Sequence, residues 1–168
     1  AEAWFLRPAE MATDDSSKIL AIRHALFESE KFYKKKFDVL FDLDVTSPLR
    51  FVEDIIDAYN QFIIENADIL ISANKSRKNP YFNMIKKIDN RIERLITTDK
   101  PIYNRQKAPK VYDMNASIYI WKRESLIKNN SLFTEKTSLY IMPEERSIDI
   151  DTELDWHLVE YIIKKRSS

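Results

Sequence analysis

The sequence predicts an α/β domain: a mostly parallel, Rossmann-like central sheet flanked by helices. Three observations carry this. Short runs rich in branched and aromatic residues alternate with longer stretches of helical periodicity. A length of 168 residues with 44% hydrophobic and 32% charged side chains is that of one ordinary globular domain. The apolar runs are all short and broken by charges, which excludes a membrane span.

The elements follow in order. Residues 1–8 alternate like a short strand, and Asp14, Asp15, Ser16 and Ser17 then offer capping oxygens for a helix over about residues 18–36, with Ile19, Leu20, Ile22, Leu26 and Phe27 at helical spacing. Residues 37–45 read as a strand ending in carboxylates. Ser47 as N-cap and Pro48 at the first helical position predict the next helix, with Phe51, Ile55, Tyr59, Phe62 and Ile63 on its apolar face. Residues 68–73 form another buried-type strand, and this βαβ order argues for parallel pairing. Residues 81–88 and 91–96 flank Asp89-Asn90 as a hairpin, followed by a polar, basic stretch to Asn115. Two further strands are expected at 117–121 and 138–142, with a helical piece at 124–127 between them. Leu154, Leu158, Tyr161 and Ile162 mark a terminal amphipathic helix.

Composition bounds the chemistry. Lysine plus arginine number 27 against 27 aspartate plus glutamate, so no global field draws the chain to nucleic acid or an anionic membrane. Without cysteine there are no disulfides or thiolate sites, in keeping with a cytoplasmic protein. Glycine is absent altogether, where average usage predicts about a dozen, so no glycine-rich phosphate loop is present. His24 and His157 fall on helices away from the acidic motifs and read as structural.

Two acidic motifs stand out. In the extended segment 146–152, Asp149 and Asp151 share one face while Ile148 and Ile150 point the other way. Such a pair suits a hard cation like Mg2+, which completes its shell with water and phosphate oxygens. The alternative is that Asp151 or Thr152 caps the last helix, with Asp155 in its first turn. Asp44 lies at the carboxyl end of an α/β strand, where ligands bind, or else is simply a turn residue. Arg7, Lys100, Arg105, Lys107 and Lys110 are candidate anion contacts, and equally candidate solvated surface.

Five collinear segments carry a resemblance: LRPAEMATDDSS at 6–17, LDVTSPLR at 43–50, NPYFNMI at 79–85, NRQKAPKVYDMNASIYIW at 104–121 and YIMPEERSIDIDTELDW at 140–156. In this order they resemble the acylneuraminate cytidylyltransferases, the CMP-sialic acid synthetase family that also serves legionaminic and related acids. The resemblance implies transfer of CMP from CTP to a nine-carbon α-keto sugar acid with release of pyrophosphate. Asp149 and Asp151 then match the magnesium-binding aspartates, Arg7 the nucleotide side, and Asn115 and Tyr119 the sugar-acid pocket. Arg105 matches a residue facing the sugar acid across a homodimer interface, formed by an arm at about 81–111 of a single domain spanning 1–168. A non-catalytic binding or assembly module, and an enzyme for the eight-carbon acid Kdo, are the alternatives.

Three departures from the family pattern carry expectations. Asp44 replaces a glutamine, giving a carboxylate that could hold a metal or the attacking hydroxyl. Asn115-Ala116 replaces asparagine-glycine, which requires a negative φ at Ala116. The family's basic, glycine-containing loop around the triphosphate has no counterpart here, so the chain is expected to be a fragment.

Overall fold

The computed structural model describes residues 4–13, 16–100 and 102–166. Its elements are α1 (Lys18–Tyr33), β1 (Val39–Leu43), α2 (Val52–Ile64), β2 (Ile69–Lys75), β3 (Ile85–Ile88), β4 (Arg91–Arg94), β5 (Tyr112–Lys122), α3 (Arg123–Lys128), β6 (Thr137–Ile141) and α4 (Glu153–Arg166). The α/β class holds. Among the described residues no helix is long and apolar enough to cross a membrane.

The sheet corrects the expected strand pairing. Its order is β1-β5-β2-β6, and β5 is antiparallel to both of its neighbours, so β2 with β6 is the parallel pair. β1 and β2 do run the same way, as a βαβ order predicts, but they do not touch: β5 arrives later in the chain and fills the gap. An almost unbroken buried run along β5 equips it for that central place.

Strand alternation divides the core in two. Ile118 and Ile120 of β5 and Leu70 of β2 pack with Ala58 and Phe62 of α2. Tyr119 and Trp121, with Ile69 and Ile71, face Leu26 of α1 and Leu126 of α3. Arg123 carries the second layer across to α1: its guanidinium donates to both carboxylate oxygens of Glu30, at 2.7 and 3.0 Å.

Several local expectations change. Trp4 to Pro8 forms no strand; Trp4 instead stacks on Phe32 at 5.4 Å and meets Tyr33 edge-on at 5.0 Å. The proposed caps Asp14 and Asp15 lie outside the described residues, and Ser17 caps α1 by position without a side-chain hydrogen bond. That helix ends at Tyr33, short of Lys36, because Lys34 turns left-handed at φ 51° and Lys35 N–H returns to the Glu30 carbonyl at 3.2 Å.

Helix α2 starts at Val52 rather than Pro48. Asp54 accepts the Phe51 N–H at 2.8 Å, while Ser47, buried, donates its hydroxyl to the Asn115 carbonyl. The inward stripe of α2 is therefore Asp54, Ala58 and Phe62, and Ile63 remains 54% exposed. In α4 it is Val159 that is buried; Leu154, Leu158 and Tyr161 face outward.

The β3–β4 hairpin turns at Asp89-Asn90 as expected but is shorter than 81–88 and 91–96, and Asp89 supplies the left-handed residue (φ 51°) that glycine would otherwise provide. Asn79 anchors its base, accepting the Tyr81 N–H at 2.9 Å and donating to the Pro109 carbonyl at 2.9 Å.

Candidate active site

The carboxyl end of β1 breaks off where β5 bulges. Strand pairing runs to Leu43 opposite Ile118, and on the other side of β5 the register slips between Ile71 and Ala73, whose partners are Tyr119 and Met114. Ser72 fills the irregularity: its hydroxyl donates to Asn115 Oδ1 at 2.6 Å and accepts the Ile118 N–H at 2.8 Å.

Two residues of the LDVTSPLR segment tie bulge carbonyls to the loop that follows β1. Ser47 reaches Asn115 O at 3.2 Å, and Arg50 Nη1 donates to Asp44 O, Ser47 O and Ser117 O at 2.6, 3.1 and 3.2 Å. Burial lowers the Arg50 pKa, against the pull of Asp44 and Asp42.

Within the bulge Ala116 has φ 51°, contrary to the negative φ expected of an alanine there. A left-handed alanine costs roughly 1–2 kcal/mol. The Ser72, Ser47 and Arg50 contacts over-determine the loop and hold it in place.

Asn115 is the hub. Its Oδ1 accepts from Ser72 and from the Ser117 N–H, and its Nδ2 donates to Ser147 Oγ at 3.0 Å and lies 3.3 Å from Met142 Sδ. The side chain is buried and wholly engaged inside the protein.

Asp44 closes a tight turn at the end of β1, its Oδ1 accepting from Thr46 N–H at 3.3 Å and Thr46 Oγ1 at 3.0 Å. Lys18, at the start of α1, bridges Asp42 and Asp44 at 3.0 and 3.2 Å. Burial works to raise the Asp44 pKa, but the Thr46 and Lys18 contacts outweigh it and hold the carboxyl below its ordinary value. In Lys18 burial works downward, and the two aspartates outweigh it, so the ammonium is held above its ordinary value.

Across the strand pair, Tyr119 sits opposite Asp42, with Lys18 Nζ 5.2 Å from its ring centroid. Burial raises the Tyr119 hydroxyl; Lys18 opposes this, and Asp42, Asp44 and Asp149 add to it. A cavity of about 390 Å³ opens here, lined by Lys18, Asp42, Tyr119, Ser131, Leu132 and Phe133 among others.

The Asp149 segment closes the group, with Ile150 N–H donating to Thr46 O at 2.9 Å. Asp149 Oδ1 is buried with no hydrogen-bond partner among the described residues. A buried carboxylate oxygen in that state is costly unless a cation meets it, so the donor set fits a hard metal ion.

Asp151 is exposed. The capping alternative belongs to its neighbours: Thr152 Oγ1 accepts the Asp155 N–H at 3.3 Å and Asp155 accepts the Thr152 N–H at 2.8 Å. Among the described residues no three histidine, aspartate or glutamate side chains gather to hold an ion unaided, so any ion must take further oxygens from ligand or water.

Asp44, Asp149 and Tyr119 thus come together, with Asn115 behind them. Arg7 lies nearby in the fold, donating to Ser16 Oγ at 3.2 Å at the foot of α1. Arg105 is elsewhere, bonded to the Arg77 carbonyl in a separate cleft of about 990 Å³ lined also by Lys75, Asn79, Lys110 and Glu144. Sequence reasoning missed Lys18 and Asp42. The spacing of Asp42 and Asp44 on one strand face was the signal available.

Carboxylates lie here at a strand end beside a cavity; Asp42 Oδ2 is met only by the Lys18 ion pair and Asp149 Oδ1 by no hydrogen-bond donor among the described residues, a layout suited to a cation-assisted ligand site in an α/β domain. No family model matches the chain. It is 44% identical over 166 residues to post-translational flagellin modification protein B of Campylobacter coli, a match covering 99% of this chain and 70% of that protein. It is 42% identical to the CMP-N,N'-diacetyllegionaminic acid synthase of Campylobacter jejuni, again over 99% and 70%. Against the synthase of the same name from Legionella pneumophila the identity is 30%, over 95% and 68%. The chain belongs to the acylneuraminate cytidylyltransferase family, which includes the CMP-legionaminic acid synthases.

Proposed function

We propose that this protein transfers CMP from CTP to a nine-carbon α-keto sugar acid of the sialic or legionaminic type and releases pyrophosphate. Family membership supports the reaction. The observation that carries the site is Asp149 Oδ1, buried without a hydrogen-bond partner among the described residues and tied beside the Asp44 turn through Ile150 and Thr46.

In the proposed reaction the anomeric oxygen of the sugar acid bonds to the α-phosphorus of CTP as the bond to the pyrophosphate oxygen breaks. Asp149 and Asp151 are the residues proposed to hold Mg2+, which when bound supplies neutralisation of phosphate charge. Asp44, kept anionic by Thr46 and Lys18, serves as acceptor for the attacking hydroxyl. Arg7 contacts the nucleotide. Tyr119 lines the sugar-acid pocket, and Asn115 shapes it by holding the bulge that precedes Tyr119.

The chain is proposed as a single domain, 1–168, of Rossmann-like nucleotidyltransferase type, working in the cytoplasm. Its hairpin and basic loop, about 81–111, are proposed as the arm of a homodimer that carries Arg105 toward the partner's sugar acid. The exposed Ile85, Ile88 and Ile92 on the hairpin support an interface there.

Pyrophosphate release from CTP and Mg2+, with sialic, legionaminic and Kdo acids offered in parallel, tests the reading. Release with one nine-carbon acid, lost in Asp149→Asn, is expected; no release with any acid from the full-length protein refutes it and leaves a binding module.

A further inference from the structure

The Tyr119 cavity has one basic side chain among its described lining residues, Lys18, and one acidic, Asp42. Asp44 and Asp149 act on the same tyrosine from close by. Asp42 and Asp44 set two carboxylates against the one ammonium of Lys18, so at this end of the cavity Lys18 is the side chain that can meet an anion. The proposed substrates are both anions.

We propose that Lys18 is a substrate-binding residue of this cavity, its ammonium contacting an anionic oxygen, either the carboxylate of the sugar acid or a phosphate oxygen of the nucleotide. The inference rests on the synthetase reading and assigns that site a contact beyond its aspartates.

The geometry supports a functional post. An exposed lysine is normally mobile, and ion pairs of half-exposed lysines add little to stability. Lys18 nevertheless stands at the meeting point of three groups: Asp42 at 3.0 Å, Asp44 at 3.2 Å and the Tyr119 ring at 5.2 Å. With 52% of its side chain still exposed, the cost of fixing it has been met without closing it off from solvent. An ammonium carries three donors; one goes to Asp44 Oδ2, and Asp42 Oδ2 is held as an ion pair at 3.0 Å. The two carboxylates aim the charge at the cavity, and the tyrosine ring adds a cation–π contact from below.

Three forms of the full-length protein test this: wild type, Lys18→Met, which keeps length without charge, and Lys18→Arg. Each is titrated calorimetrically with the sugar acid alone and with CTP alone, and assayed for KM of each substrate. Lys18→Met is expected to weaken one ligand at least tenfold while leaving the other within about twofold, with an unchanged melting temperature, and Lys18→Arg to restore most of the loss. Which ligand weakens identifies the source of the anionic oxygen. An active wild type whose Lys18→Met variant binds both ligands normally overturns the proposal, as does parallel weakening of both with a lowered melting temperature. A wild type that binds neither ligand and releases no pyrophosphate refutes the synthetase reading itself, and this inference with it.

Discussion

Replacing Arg146 with alanine strands the most deeply buried carboxylate among the described residues. Asp54 is 1% exposed, and Arg146 grips it bidentately, Nε to Oδ2 at 2.9 Å and Nη2 to Oδ1 at 2.8 Å. Around the pair, Tyr140 OH lies 3.4 Å from Oδ1, and the guanidiniums of Arg146 and Arg166 lie over the Phe51 ring at 5.0 and 4.6 Å from its centroid. Hydrogen bonding to Asp54 holds the Arg146 pKa up, and burial, reinforced by Asp54, pushes the Tyr140 hydroxyl up to about 12.

Removing one partner of a buried pair costs about 3–5 kcal/mol because the other charge is left without compensation. The Phe51 N–H and Tyr140 hydroxyl remain, so the lower end applies, about 3 kcal/mol. At about 2–4 °C per kcal/mol for a chain of this size, the melting temperature falls by roughly 6–12 °C. Urea unfolding reads the same loss as a lower midpoint with unchanged slope. In the double variant Asp54→Asn/Arg146→Met, part of the stability returns, since neither charge is then left alone. A loss below about 1 kcal/mol for Arg146→Ala, with no recovery in the double variant, refutes the assignment of this pair as the clamp between α2 and the segment that leads to Asp149.

Other outcomes are expected. Asp149→Asn lowers pyrophosphate release at least about a hundredfold while stability holds or rises slightly, because the charge is removed from a half-buried carboxylate whose Oδ1 has no hydrogen-bond partner among the described residues; a folded variant with full activity refutes its role. At Ala116, glycine relieves the left-handed strain and gains up to about 1 kcal/mol, whereas valine costs about 2 kcal/mol or more; equal melting temperatures for all three residues contradict the φ of 51°. Glu30 is held below its ordinary value of 4.5, chiefly by its hydrogen bonds with Arg123. A depressed carboxylate contributes stability that is complete above that ordinary value and fades as pH falls through the folded one, so Glu30→Gln should flatten the acid limb of the stability curve. An unaltered acid limb speaks against the pairing.

Much of this protein was legible in its residues. Alternating apolar runs located β1, β2, β5, β6 and their intervening helices, because strand and helix periods are local properties of the chain. Asp149, Asp44 and Tyr119 were candidates before any fold was known, through motif order and strand-end position. Asn115 was named too, though its side chain serves the interior. Lys18 is not legible in this way, since nothing at position 18 marks it until α1 is docked over β1 and its ammonium meets Asp42 and Asp44.

The sequence by itself determined the element order, the acidic motifs and the family. Only the tertiary structure decided that β5 enters antiparallel between β1 and β2, that Ala116 adopts a positive φ, and that α2 buries a charged residue to meet Arg146. The physical reason is the same in each case. Local periodicity fixes which face of an element is apolar, but pairing, backbone strain and buried charge depend on partners tens of residues away, whose contacts exist only once the chain has closed on itself.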